Sequence, residues 1–251
     1  MCPDVRYNAG VTVPDHLYAH SSTAARATLR ELFEVSYIAS RDDACAGASF
    51  EQKLRYEQEG ILRFVQSRGY RIYTEEDIRE TFTKNGAYSA CEGGNEHDLL
   101  IPIRSEEVCI LKLTNTPNGY GAKSALVDYL ENLVFSNIIF GDDIELVGFV
   151  EPSPEKDIRV IRLPISQPFV LGNEASDEHI AAYMAGFGFY PMSRPYSYEH
   201  ACGTRVYDAR PANVLEDDNG NIFPIDVQIK NGERYVYSRL LTMLQGRCYQ
   251  T

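Results

Sequence analysis

The sequence lacks three features: a long apolar run, a surplus of basic residues and any close pair of cysteines. Without about 18 consecutive apolar residues, no transmembrane helix is expected. Lysine and arginine total 24 against 36 aspartates and glutamates, a net charge of −12. This acidic balance argues against a protein that binds nucleic acid or an anionic membrane surface.

The six cysteines are scattered through the 251 residues and form no C-x-x-C pair. This spacing predicts neither a zinc site nor a disulfide framework. The first residues contain neither the basic nor the apolar segment of a signal peptide. We therefore expect a cytoplasmic protein with reduced thiols.

Hydrophobic periodicity predicts helices in the first part of the chain and strands in the middle. Helices are expected at about 15–40 and 50–67, and Thr74 to Asp77 resembles a capping box that opens a short helix toward Phe82. The stretch 86–172 is predicted as four strands around one helix. The strands are 99–104, 108–114, 145–151 and 158–165, and the helix is 123–138.

After Gly172 the pattern predicts a helix at 176–187 capped by Ser176, a hairpin at 213–226 and a final helix at 235–246. The fold class is therefore α+β. The predicted secondary structure changes near 167–172, from mostly strands to a mixture with more helix. This change is compatible with a hinge between two lobes and with one α+β domain.

The most informative residues lie in the loop from Asp208 to Asn213 and in the hairpin that follows it. Asp208 suits a base or positioning group for an attacking hydroxyl. Asn213 and Asp226 are oxygen ligands suited to Mg²⁺, which takes its other ligands from phosphate and water. The hairpin would return Asp226 to Asn213. The alternative is a solvated acidic loop beside an ordinary hairpin.

Lys112 is one of only six lysines, and it lies inside an apolar predicted strand. A lysine on a half-buried strand needs a partner, because an unpaired buried charge is costly. Glu131 on the next helix would supply one, and Asp128 is the competing partner. The alternative is a lysine whose charged end extends to solvent.

These residues resemble those of protein-kinase-like phosphotransferases, and more narrowly the small kinase domain of bacterial and phage polyvalent proteins. The likeness spans about 50–232. The runs that carry it are Gly93-Gly94-Asn95-Glu96-His97, Leu111 to Thr114 with Asn118 to Gly121, Ser166 to Phe169, and Asp208 to Asn213.

The resemblance implies a two-lobed kinase fold that uses ATP and Mg²⁺ to phosphorylate a hydroxyl, on a protein Ser, Thr or Tyr or on a small molecule. It implies a helical extension at 1–68 and a kinase-like domain at 69–251, with an N-lobe at about 86–166, a hinge at 167–172 and a reduced C-lobe at 173–251.

The resemblance also implies a role for each matched residue. Lys112 would contact the phosphates and Glu131 would hold it. Asp208 would orient the acceptor, Arg210 would neutralise the transferring phosphoryl group, and Asn213 and Asp226 would bind Mg²⁺. The remaining nucleotide contacts would come from Gly93, Gly94, Gln167 and Phe169.

The chain departs from ordinary protein kinases at several positions. Val206-Tyr207 replaces the His-Arg before Asp208, Arg210 replaces a lysine, and Val227-Gln228 follows Asp226. Only 25 residues follow Asp226, so we expect no full peptide-binding platform. Three other activities stay open: a non-catalytic nucleotide-binding or interaction module, a small-molecule kinase, and a transferase of AMP. An unrelated α+β protein also stays open.

Overall fold

The computed structural model describes residues 29–33, 35–36, 48–83, 88–91, 97–102, 109–114, 125–152 and 160–231. These segments contain both helices and sheets, which agrees with the predicted α+β class. The helix predicted at 15–40 is described only at 29–33 and 35–36, where the backbone is helical. The helix predicted at 235–246 lies outside the described residues.

Two compact units make up the described chain. The first contains the described residues up to Val134 together with 143–169, and the second contains 135–142 and the described residues from Val170 onward. The limits of the extension, lobes and hinge given above stay predictions.

The first unit begins with helix α1, Phe50–Arg68, which confirms the helix predicted at 50–67. Its start is a capping box in which the Ser49 hydroxyl accepts from the Gln52 N–H, while the Gln52 side chain accepts from the Ser49 N–H. Gly69 ends the helix at φ 69°, a conformation that favours glycine. The helix buries Leu54, Ile61, Phe64 and Val65.

Helix α2, Glu75–Thr83, confirms the short helix predicted from its capping box. The Asp77 N–H donates to the Thr74 hydroxyl at 3.0 Å, and the Thr74 N–H donates to the Asp77 carboxylate at 3.1 Å. Each bond satisfies a backbone donor that a helix start otherwise leaves without a partner.

Five antiparallel strands form the main sheet of the first unit, in the order β2-β3-β4-β7-β5. They are β2 Tyr88–Cys91, β3 His97–Pro102, β4 Cys109–Thr114, β5 Glu145–Leu146 and β7 Pro164–Pro168. Two short strands, β1 Ile72–Tyr73 and β6 Phe149–Val150, pair in parallel beside it. Helix α3, Leu126–Ile139, matches the helix predicted at 123–138.

Two predicted strands differ from the structure. The strand expected at 145–151 is β5 and β6, two separate pieces. The strand expected at 158–165 was placed too early, because the paired segment is Pro164–Pro168. Residues 160–163 are buried, yet their backbone pairing with other described residues is limited to an isolated bridge between Arg162 and Val150 and one bond from the Thr114 N–H to the Leu163 carbonyl. Burial produced the strand-like sequence pattern there without a ladder of hydrogen bonds.

The second unit contains helix α4, Asp177–Gly186, and confirms the helix that Ser176 was predicted to cap. The Ser176 hydroxyl accepts from the His179 N–H at 3.2 Å. Ile180 and Met184 are buried in the core of this unit, and Tyr183 and Phe187 pack against it. None of the described helices is both long and apolar enough to cross a membrane.

A three-stranded sheet of the second unit has the order β13-β12-β8. Its strands are β8 Asn173–Glu174, β12 Val214–Glu216 and β13 Ile222–Pro224. Strands β12 and β13 form the hairpin predicted at 213–226, with Gly220 at φ 79° in the turn. Gly172 is required beside it, because a Cβ there would lie 2.5 Å from the Glu216 carbonyl oxygen.

A four-stranded antiparallel sheet completes the second unit, in the order β14-β11-β10-β9. Its strands are β9 Phe189–Pro191, β10 Tyr198–His200, β11 Thr204–Tyr207 and β14 Gln228–Asn231. One face contributes Phe189, Tyr198, Val206 and Ile229 to the core. The hairpin of β9 and β10 was not predicted from the sequence.

Candidate functional site

The loop after β11 is held in one conformation by Asn213. Its side-chain N–H group donates to the Asp208 carboxylate at 2.9 Å and to the Asp208 carbonyl at 2.9 Å. Asn213 is only 6% exposed and ends a single 3-10 turn, Pro211–Asn213. Pro211 favours this turn because its ring fixes φ near the helical value. The structure thus brings together two predicted site residues, Asp208 and Asn213.

Asp208 has φ 58°, a left-handed conformation that is unusual for a residue other than glycine. Strain of this kind is often found at functional sites, where the surrounding structure holds it in place. Here the two bonds from Asn213 oppose relaxation of the loop. The Arg210 Nε atom lies 3.4 Å from the other Asp208 carboxylate oxygen, and both side chains are partly exposed.

The hairpin brings Asp226 back to the same loop, as the sequence predicted. The backbone N–H groups of Ile225 and Asp226 donate to the Asn213 carbonyl at 2.9 and 3.4 Å. The Asp226 side chain is exposed. Asp208, Arg210, Asn213 and Asp226 therefore form one cluster within the second unit.

The donor atoms of this cluster suit a hard cation that keeps few protein ligands. Because the Asn213 side-chain nitrogen donates to Asp208, its amide oxygen is the remaining ligand atom. That oxygen is buried and accepts no hydrogen bond within the described part of the chain. The Asp226 backbone lies beside Asn213, because the Asp226 N–H donates to the Asn213 carbonyl. Over the same residues, no group of three or more His, Cys, Asp or Glu side chains could hold a metal. An Mg²⁺ ion held by two protein oxygens would take its other ligands from phosphate and water.

Lys112 lies on β4 in the first unit, opposite Leu99 of β3 and Ile165 of β7. It is partly buried between Leu111 and Leu113, whose side chains point to the other face of the sheet. This location is a half-buried strand, as the sequence predicted.

His97 of β3 lies near Lys112, and its imidazole is neutral at physiological pH. Burial lowers the pKa of His97 to about 3, with a further lowering from the Lys112 charge and an opposing effect from Asp98. The His97 Nε2 atom lies 3.1 Å from the hydroxyl oxygen of Tyr129, which is buried on α3. This contact joins β3 to the helix that carries Glu131.

Glu131 is partly buried on α3, and its pairing with Lys112 stays a prediction. The start of α3 is bound by Glu57 of α1, whose carboxylate accepts from the Leu126 N–H at 3.1 Å. Burial raises the pKa of Glu57 to about 7, the backbone N–H groups of Leu126 and Val127 oppose that rise, and the Asp128 charge adds to it. The competing candidate Asp128 thus lies close to Glu57.

The other predicted nucleotide contacts have different surroundings. Gln167 lies on β7, is 5% exposed and is opposite Ile110. Phe169 follows that strand and is exposed. Gly93 and Gly94 lie outside the described residues. The adenine and phosphate contacts of these residues stay predictions.

A buried arginine was missed by the sequence analysis. Arg162 is 2% exposed, and its guanidinium donates to the Thr114 carbonyl at 2.6 Å and to Asp98 at 2.6 Å. It also donates to Glu75 at the start of α2. The sequence signal was a single arginine within the apolar run 160–165, where a buried charge needs partners.

Comparison with known proteins assigns the chain to one family. No curated protein and no solved structure matches the chain. A family model described as the serine/threonine/tyrosine kinase found in polyvalent proteins matches residues 55–232. That range includes the loop of Asp208, the hairpin that returns Asp226 and the strand of Lys112. The match covers most of the chain, which therefore belongs to the Ser/Thr/Tyr kinase family of polyvalent proteins.

Proposed function

We propose that this protein is a cytoplasmic phosphotransferase that uses ATP and Mg²⁺ to phosphorylate a hydroxyl group. The observation that carries the proposal is the role of Asn213 in the loop. Its side chain holds Asp208, and its carbonyl accepts from the backbone of Asp226. One buried residue thus links the proposed acceptor-positioning group to a proposed metal ligand.

In this proposal the Asp208 carboxylate accepts a hydrogen bond from the acceptor hydroxyl and then takes its proton. The acceptor oxygen forms a bond to the γ-phosphorus as the bond from that phosphorus to the bridging oxygen of ADP breaks. Arg210 neutralises charge on the transferring group from a position 3.4 Å from Asp208. Positioning and electrostatic stabilisation of this kind account for most of phosphoryl-transfer catalysis.

Asn213 and Asp226 would hold the metal, with the Asn213 amide oxygen and the Asp226 carboxylate as ligands. Bound Mg²⁺ would neutralise phosphate charge and orient the phosphates. The protein's own contribution is rigidity, because two bonds to Asp208 fix the Asn213 amide before any ligand binds.

The proposal assigns the ATP site to residues of the first unit, in a two-lobed kinase arrangement. Lys112 would contact the phosphates and Glu131 would hold Lys112. Backbone around Gln167 and Phe169 would bind adenine, and the backbone at Gly93 and Gly94 would approach the phosphates. The half-buried location of Lys112 beside a neutral His97 supports this assignment. The neutral imidazole adds no second positive charge beside Lys112.

Calorimetric titration with ATP, with and without Mg²⁺, tests the proposed nucleotide and metal sites. We expect Mg²⁺ to strengthen ATP binding to the wild-type protein. Asp226→Asn should lose that gain. Asp218→Asn is the matched control, because Asp218 is an exposed residue in the turn of the same hairpin.

Absence of ATP binding to the folded wild-type protein would contradict the proposal. The protein would then be an interaction module that keeps the family's fold. Mg²⁺-dependent binding that is identical in Asp226→Asn would refute only the metal assignment. Transfer of the adenine-bearing part of ATP, rather than the γ-phosphate, would identify an AMP transferase.

A further inference from the structure

The solvent face of the four-stranded sheet in the second unit is unusually basic for this protein. Tyr190, Glu199, Arg205 and Lys230 lie opposite one another across β9, β10, β11 and β14. Tyr207 lies on the same face of β11, two residues after Arg205. Arg194 lies above it, with its guanidinium carbon 5.7 Å from the centre of the Tyr207 ring. We name Tyr190, Arg194, Arg205, Tyr207 and Lys230 the basic sheet face.

The charge on this surface is opposite to that of the whole chain, which is −12. Arg205 is bound by Glu199 at 2.7 Å. Neither Arg194 nor Lys230 forms an ion pair with any residue that the structure describes. Arg205 and Lys230 are also direct cross-strand neighbours, and like charges in that arrangement are destabilising. Glu199 offsets part of this repulsion through its ion pair with Arg205, and an anionic partner would offset more of it.

The loop that carries Arg194 is attached to the proposed catalytic loop. The Ala209 N–H donates to the Tyr196 carbonyl at 3.1 Å. Tyr196, whose carbonyl accepts this bond, has φ 53°, and Asp208, which precedes the donor Ala209, has φ 58°. The bond therefore joins two strained segments. Within the same loop the Met192 N–H donates to the Ser197 carbonyl at 2.8 Å. The hairpin of β9 and β10 is therefore held against the residue that follows Asp208.

The shape and composition of the face favour a peptide over a small molecule. It is an exposed sheet surface, whereas small-molecule sites are concave. Tyr190 is 66% exposed, and tyrosine and arginine are enriched where proteins bind one another. The positively charged side chains require an acidic partner. The distance along the chain from Arg205 to Asp208 indicates how far the acidic residues of that partner lie from the phosphorylated hydroxyl. Arg205 precedes Asp208 by three residues, about 10 Å of extended chain at about 3.3 Å per residue.

We infer that the basic sheet face binds an acidic segment of a protein acceptor, with its carboxylates about three residues from the phosphorylated hydroxyl. This inference rests on the proposed function, because it names the acceptor class for the same site. It also explains how an acidic protein can bind an acidic substrate, because the local charge at the acceptor site is positive.

Two fluorescent peptides test the inference. Both contain a single serine, flanked two to four residues away on each side by glutamates in one peptide and by lysines in the other. Threonine and tyrosine versions accompany them. Label transfer from γ-labelled ATP measures phosphorylation, and fluorescence anisotropy without ATP measures binding separately. We expect the glutamate peptide to have a KM about tenfold lower, an advantage that weakens as salt is raised.

Charge reversal tests which residues are responsible. Arg194→Glu, Arg205→Glu and Lys230→Glu combined should abolish the preference for the glutamate peptide, with ATP binding unchanged. A second triple variant with glutamine at these positions should show a smaller loss in the same direction. The control combines Lys53→Glu, Arg55→Glu and Arg63→Glu on α1, which changes the same number of exposed charges. We expect the control to behave as wild type.

The outcomes separate this inference from the proposed function. Binding of the glutamate peptide without label transfer would support acidic-peptide binding by the basic sheet face and contradict the kinase reaction. Label transfer with equal KM for both peptides would overturn acidic-peptide binding by the basic sheet face and leave the proposed kinase activity standing. Phosphorylation of an aminoglycoside but of neither peptide would also overturn it. An unchanged glutamate preference in the folded charge-reversal variant would overturn the residue assignment.

Discussion

The Asn213 side chain donates to both the carboxylate and the carbonyl of Asp208, at 2.9 Å each. The two residues are thereby fixed to each other before any ligand is present. Because Asn213 is buried and Asp208 is strained, this pair makes a structural contribution that can be measured apart from catalysis.

Asn213→Ala should destabilise the fold and abolish phosphoryl transfer. The substitution removes both bonds to Asp208 and the proposed oxygen ligand. We expect a loss of about 1–3 kcal/mol in the free energy of unfolding, the usual cost of losing buried hydrogen bonds. Urea denaturation measures it.

Asn221→Ala is the matched control for that experiment. Asn221 also donates from its side chain to a carboxylate, that of Asp217 at 2.8 Å, but in an exposed turn. Its loss should cost less than about 1 kcal/mol and leave activity unchanged. Equal costs for the two alanine variants would contradict the structural importance of Asn213.

Lys112→Met should impair catalysis more than ATP binding. Methionine keeps an unbranched apolar side chain at this half-buried position and removes the charge. We expect kcat to fall by about 100-fold, the usual effect of losing one preorganised donor. Steady-state kinetics and ATP titration measure the two effects, and Lys53→Met on α1 is the control. A normal kcat would disprove the phosphate role of Lys112.

Glu57 should make the folded state less stable as the pH rises. Its folded pKa of about 7 lies above the ordinary value of 4.5, so the folded protein binds the proton more tightly. Its contribution is present below about pH 4.5 and is lost as the pH rises through about 7. His97 acts in the opposite sense, because its pKa falls from 6.5 to about 3 and its contribution is lost as the pH falls below 6.5.

Glu57→Gln separates the two effects. Glutamine resembles protonated glutamate and does not titrate, so the variant should gain roughly 2–3 kcal/mol over wild type at pH 8 and little at pH 5. Urea denaturation at several pH values gives the difference between the two proteins, from which the His97 contribution cancels. A difference that does not change with pH would contradict the raised pKa.

Arg162→Met should destabilise the first unit by about 3 kcal/mol, because it leaves Glu75 and Asp98 beside each other without their buried cation. Arg79→Met is the control. Arg79 also contacts Glu75, at 2.8 Å, but its side chain is partly exposed, so its loss should cost less than about 1 kcal/mol. Thermal unfolding compares the two variants. Similar losses of stability in the two variants would show that the buried hydrogen bonds of Arg162 contribute little to the stability of the first unit.

Local pattern was sufficient to predict the loop and hairpin of the second unit. Asp208 and Asn213 are five residues apart and joined by one turn, and the turn at Gly220 returns Asp226 to Asn213. Helix caps were also predictable, because the Thr74 and Asp77 side chains act within their own turn. In each case, the residues that determine the structure lie within a short segment.

Contacts between distant segments could not be predicted in this way. Arg162 binds Glu75 across 87 residues and Asp98 across 64, and Glu57 binds the start of α3 across 69. Periodicity indicates that a residue is buried but does not identify its partner. The hairpin of β9 and β10 was missed because its strands have only three residues each, too few for an alternating pattern.

The central claim is that Asp208 serves phosphoryl transfer, and Asp208→Asn tests it most directly. The measurement is transfer of label from γ-labelled Mg-ATP to the glutamate peptide and to water, with ATP binding measured on the same samples. We predict that Asp208→Asn binds Mg-ATP as wild type does but loses transfer by at least about 100-fold, while Asp218→Asn keeps both. Full transfer by folded Asp208→Asn would contradict the account.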